Sequence, residues 1–204
     1  KWATIGKEIA HIEQAVMQDV KDFFKQHYTP SNAILVVAGN VDTDEVKTLA
    51  EKWFEPIDAG VRTERTLPAE PKQTEARKLT VERDVPASAL YKVYHMCSRR
   101  DPEYYTIDLV PDILSRGNSS RLYKSLVKDK QLFNELNAYV MGDMDKGLLV
   151  ISGKIPDHVK MEEAEAALNI ELELIKTGLV DENELQKCKN KVESSISFGE
   201  TDIL

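Results

Sequence analysis

Two runs rich in apolar residues, 133–141 and 147–154, read as strands and flank the five-residue link Gly142-Asp143-Met144-Asp145-Lys146. Strands joined by so short a link can only be antiparallel, because a parallel pair needs a crossover of a dozen residues or more. A third run, 88–97, alternates Ala89, Tyr91, Val93, His95 and Cys97 against Leu90, Lys92, Tyr94 and Met96. With apolar groups on both faces, it is expected to be a central strand. Residues 75–83, with Arg77, Leu79 and Val81 on one face, predict a fourth strand. Helices are expected at 102–115 and 119–128, with Gly117-Asn118 as the break between them. Another is expected over 161–176, where Met161, Ala164, Leu168, Leu172 and Ile175 share a face and Gly178 is the stop. The last helix opens at Asp181, with Glu184 three residues on as its capping partner. Hairpins and helices in mixed runs predict an α+β fold, not a doubly wound parallel sheet.

The N-terminal part reads as helix, strand, helix. Ile9, Ile12, Val16, Val20, Phe23, Phe24 and Tyr28 recur at helical spacing over 8–28, and Pro30 disfavours helix at Thr29. Asn32–Gly39 is a short apolar run bounded by Pro and Gly, expected to be a buried strand. Asp42 then caps a helix, with Glu45 placed to bond back, and Val46, Leu49, Ala50, Trp53 and Phe54 form its apolar face. From residue 55 to about 74 the chain is polar and broken by Pro56, Gly60, Pro68 and Pro71. The expected division is therefore 1–57, a linker at 58–74, and 75–204.

The 204 residues carry a formal net charge of −8 and show no basic stripe, which argues against nucleic acid. No apolar run approaches the ~20 residues of a membrane span. The opening Lys1-Trp2-Ala3-Thr4-Ile5-Gly6 is no signal peptide, and with no initiator Met the chain reads as a piece of a longer protein. Cys97 and Cys188, 91 residues apart, match no redox or metal spacing and are expected to be free thiols.

Residues for catalysis are hard to find. Among His11, His27, His95 and His158, no two stand four apart on a helix, the spacing that aims two imidazoles at one zinc. Neither His-x-x-Glu-His nor its reverse occurs. His95 and Cys97 share a strand face, but two ligands are half a zinc site. There is no phosphate loop, and Ser119-Ser120 lacks the setting of a nucleophile elbow. The expectation is no catalytic residue and no metal ligand in this chain, with the substrate-binding residues unknown.

Two segments nonetheless resemble a family. One runs Phe23-Phe24-Lys25-Gln26-His27-Tyr28-Thr29-Pro30-Ser31-Asn32-Ala33 through Gly39 and Asp42 to Glu45-Val46 and Trp53-Phe54. The other is Ser119-Ser120-Arg121-Leu122-Tyr123-Lys124-Ser125-Leu126, with Leu132, Asp145 and Gly147-Leu148 beyond. Both are similar to the insulinase/pitrilysin zinc peptidases, including the mitochondrial-processing-peptidase type. The resemblance implies a mostly antiparallel sheet with helices packed on one side. It implies that 8–54 ends a first half-unit, and that 75–204 forms most of a non-catalytic second half-unit, incomplete at its C-terminus. Zinc, absent from this chain, would belong to the parent protein. The implied partners are a peptide or unfolded polypeptide substrate and the remaining half-unit or a homologous subunit. Active members also carry an Arg and a Tyr that contact substrate. Alignment on Leu126 and Leu132 puts Val127 and Asn134 at those places, which favours an alternative reading as an inactive partner subunit or a peptide-enclosing structural protein. Arg121 is expected to bond nearby carbonyls.

If the two halves end alike, the second half lacks its closing strand. Asn32–Gly39 is then expected to fill the vacancy, either within the molecule, since the linker spans ~25 Å if flexible, or as a homodimer by strand exchange.

Overall fold

The computed structural model describes residues 8–62, 64 and 71–201. The chain divides into two units, Lys1–Lys78 and Leu79–Leu204. Part of the expected linker, 63 and 65–70, lies outside the described residues.

The second unit is built on the expected hairpin. β2 (Glu135–Met141) and β3 (Lys146–Ile155) pair antiparallel, with Ala138 opposite Ile151. β1 (Ser88–Ser98) pairs antiparallel with the other side of β3, Val93 opposite Val150, so the order is β1-β3-β2. The central strand is therefore β3 and not the 88–97 run. β3 buries Val150 and Ile151 on opposite faces, at 5% and 1% exposure, whereas the second apolar face of β1 is exposed.

Helices cover one side of this sheet. α4 spans Tyr104–Ser115 and α5 Met161–Thr177. Leu114, Leu122, Leu126, Phe133, Leu136, Ile151, Ile155, Ala164, Leu168 and Leu172 close into a single core. The α5 residues in it are three of the five expected on its apolar face; Met161 and Ile175 pack at its margin. At the centre of the core Gly153 leaves room for its neighbours: a Cβ there would lie 2.5 Å from Leu136 Cδ1. α6 (Glu182–Gly199) begins at Asp181, whose carboxylate accepts from the Asn183 and Glu184 amides.

One expectation holds in a different form and another fails. The helix expected over 119–128 forms, but winds as a π-helix over Tyr123–Asp129, with Lys130 N–H reaching Ser125 O. Gln131 follows in the left-handed region, at φ 53°. Arg121 does not bond carbonyls. It grips the Glu184 carboxylate with two nitrogens, Nη2 at 2.7 Å and Nε at 3.0 Å. Glu184 thus ties α6 to the start of the π-helix instead of completing the cap at Asp181.

In the first unit, the expected helix over 8–28 is split. α1 is the single turn Ala10–Glu13, and α2 spans Met17–His27. Asp19 starts α2 afresh by accepting from the Val16 amide at 2.9 Å, with Val16 itself extended. Pro30–Asn32 form a 3₁₀ turn, pinned by Asn32 Nδ2 donating to His27 O. α3 (Thr43–Phe54) has the expected Asp42 cap, which accepts from the Asp44 and Glu45 amides at 2.9 Å. The strands expected at 32–39 and 75–83 do not form. Residues 33–38 pair with no strand of the second unit, so the sheet is not completed from within the molecule. An apolar run becomes a strand only when a neighbour accepts its hydrogen bonds, and no described segment does.

Candidate functional site

The side of the sheet away from the core carries the odd-numbered residues of β1 and β2, and register lines them up in rows across β3. Tyr91 stands beside Ser152 and Asn137; Val93 beside Val150 and Tyr139; His95 beside Leu148 and Met141. Ala89, Lys154 and Glu135 make the end row. No helix of the described residues covers this face. Tyr91 is 65% exposed, Val93 52%, Tyr139 43% and Met141 55%, while on the reverse face Leu136 is 5%. Isolated apolar residues on a surface need no explanation, but four gathered on one sheet face mark a contact surface.

The charges at the end row cancel. Lys154 Nζ lies 3.0 Å from Glu135 Oε2, and Asn137 Nδ2 donates to Glu135 Oε1 at 2.8 Å. Lys154 first, then Asn137, holds the Glu135 carboxyl below its ordinary value. The face thus presents phenol, aliphatic and thioether groups, with the His95 imidazole and the polar Ser152 and Asn137 among them, and no uncompensated carboxylate or ammonium in its rows.

At the outer edge of β2 is an open cleft of about 620 Å³ between α4, β2 and α6. Several of its polar groups are already engaged. Asp112, 7% exposed, pairs with Arg116 at 3.0 Å. Ser115 Oγ accepts from Ala138 N–H at 2.7 Å and lies 3.3 Å from Ala138 O, plugging the strand edge. The cleft has two serines, Ser115 and Ser195, but no histidine among its lining residues, so no serine–histidine pair is set up in it.

Nor do the residues fit a zinc ion. Among the described residues no three His, Cys, Asp or Glu gather as ligands. The register of β1 on β3 shifts between His95 and Ser98, so the regular alternation that would put Cys97 on the face of His95 is interrupted, and the neighbours in the His95 row are Leu148 and Met141. Cys97 and Cys188 are free thiols; burial raises both above the ordinary thiol value. Val127 packs against the core, and Asn134 donates its backbone N–H to Lys154 O at 2.8 Å. The open face was not identified in the sequence as a site. Its signal was there in β1, whose apolar groups on both faces fit an edge strand with a sticky outer surface as well as a central strand.

Comparison with known proteins places this geometry. The sequence is 30% identical over 194 residues to the zinc protease PqqE of Helicobacter pylori, covering 92% of this chain and 43% of that protein. It is 23% identical over 181 residues to an uncharacterised Bacillus subtilis zinc protease, YmxG, covering 88% of this chain and 43% of that one. The chain thus spans less than half the length of these relatives. The fold matches the crystal structure of a protease from H. pylori with TM-score 0.78 at 26% identity, over 93% of this chain and 46% of that one. It also matches a peptidase M16 inactive domain from Pseudomonas fluorescens, TM-score 0.72 at 19% identity, over 92% of this chain and 45% of the other. Residues 15–192 match the family described as the peptidase M16 inactive domain, a span that runs from the split helix of the first unit through both motif segments to α6, and to that family the chain belongs.

Proposed function

We propose that this chain is the substrate-enclosing portion of a zinc-dependent metalloendopeptidase, whose metal and catalytic residues lie in the rest of the parent protein. The carrying observation is the match of residues 15–192 to the peptidase M16 inactive domain. In this reading residues 8–54 close the catalytic half-unit, 58–74 link the halves, and the second unit supplies one wall of the chamber. The occupant is a peptide or unfolded polypeptide. The partner is the remaining half-unit or a homologous subunit, which would cover the apolar residues of the first unit. Within this chain no residue is assigned to catalysis or to metal. No helix of the described residues is long and apolar enough to cross a membrane.

Elemental analysis and a cleavage assay test this reading. The parent protein is expected to bind stoichiometric zinc and cleave peptides in a chelator-sensitive manner, and the 204-residue chain to do neither. Chelator-sensitive hydrolysis by the chain alone would sink it.

One observation favours a second reading, an inactive partner subunit. Val127 and Asn134 stand where the family resemblance implies an Arg and a Tyr, and Val127 is committed to packing. A parent with an interrupted His-x-x-Glu-His segment would support it. A homodimer by strand exchange, Asn32–Gly39 of one copy added to the outer edge of β1 in another, is the alternative partner; sedimentation at raised concentration detects it.

A further inference from the structure

We infer that the open sheet face is a binding surface for uncharged, extended polypeptide segments with aromatic or aliphatic side chains at alternate positions. It rests on the chamber reading for the kind of occupant, but the selectivity comes from the residues of this face. Three strands about 4.8 Å apart and four side-chain rows about 7 Å apart give a patch roughly 10 Å by 20 Å. That is the footprint of one extended segment of about six residues. An extended segment turns alternate side chains to one side, and these meet Tyr91, Val93, Tyr139 and Met141, all 43–65% exposed. Tyrosines suit such contacts, since they bury much area at small entropic cost.

Charge decides what is admitted. Glu135 and Lys154 neutralise each other at 3.0 Å. A basic segment finds no free carboxylate in the rows, and an acidic one no free ammonium. Either would give up hydration of its charge without a partner. An uncharged apolar segment loses nothing of that kind.

The test uses three labelled peptides of equal length, alternating with serine: one aromatic–aliphatic and uncharged, one lysine-containing, one glutamate-containing. Their binding to the 204-residue chain is read by fluorescence anisotropy. The uncharged peptide is expected to bind at least about ten-fold more tightly than the others, with little dependence on salt, as apolar burial requires. The double variant Tyr91→Ser/Tyr139→Ser should lose about ten-fold or more, whereas Ile170→Ser, at an equally exposed position on α5, should not. If the double variant unfolds, amide shifts in the unaltered chain decide: the peptide should perturb β1 and β2, and perturbation centred on the α4–α6 cleft would overturn the inference. It is also overturned if charged peptides bind equally well, if no peptide binds, or if the face is occupied by Ala33–Ala38 of a second copy. Loss of this binding leaves zinc-dependent cleavage by the parent intact, and a parent without zinc leaves this binding intact, so the two failures are separable.

Discussion

The two units use the same local devices to opposite ends. Each has helices begun by an aspartate, Asp42 before α3 and Asp181 before α6, with nearly identical capping bonds. Each has apolar residues at helical spacing. In the second unit these close on a sheet, and Leu122, Leu126 and Ala164 reach 0% exposure. In the first unit no described residue is buried, and Phe24, Trp53 and Ile34 stand 59%, 64% and 92% exposed. Pattern and caps are enough to write a helix. Burial needs a second surface, and only the second unit contains its own. The first unit is a set of prepared faces, which is what a segment that docks on another half-unit should look like.

The largest effect that could break this contrast is a truncation in each unit. Phe133, 2% exposed, packs beside Gly153 in the core. Phe133→Ala should cost about 3–5 kcal/mol, read as faster hydrogen exchange of the β3 amides and a lower denaturant midpoint. Phe24→Ala, on an exposed face, should shift the same amides by less than about 0.5 kcal/mol. Comparable losses would mean that the first unit shares a core with the second.

A finer comparison removes the caps. Asp181→Ala should destabilise the second unit by about 1 kcal/mol, since an unfilled cap leaves helix amides unbonded. Asp42→Ala should fray α3 by a similar local amount, visible as lost helical circular dichroism, and leave β3 exchange unmoved. Asp181→Asn should keep most of the stability, because the amide oxygen still accepts. If Asp42→Ala did reach the β3 amides, the two units would be coupled in folding.

These differences also explain how much could be read in advance. The hairpin, the helix starts at Asp42 and Asp181, and the core stripe of α5 are legible because each is fixed by residues a few positions apart. What was missed depends on partners far along the chain. Arg121 finds Glu184, 63 residues away, and no spacing rule points to it. Residues 33–38 and 75–83 have strand composition, but a strand is a property of a pair. The edge position of β1 is hidden by its own side chains, because an exposed apolar face looks in sequence like one meant for a second layer. For the candidate site the lesson is direct: the alternation of β1 is legible in the sequence and the exposure of its outer face is not, because exposure is set by what lies opposite.

The smallest expected effect tests the neutral end of that face. Glu135 is held below the ordinary carboxyl value by Lys154 and Asn137. A group whose folded value is depressed contributes stability that is fully present above its unfolded value, about pH 4.3 for glutamate, and is lost as pH falls through the folded value. Acidification from about pH 5 downward should therefore weaken the β2–β3 pairing at this end, seen as faster local exchange near Glu135 and Lys154. Glu135→Gln should flatten that slope without changing stability near neutrality by much, since the pair is exposed and screened. The same substitution also leaves the Lys154 ammonium uncompensated on the open face. It should then admit the acidic peptide that the native face rejects, so a single variant separates the pair's small structural role from its role in charge selection.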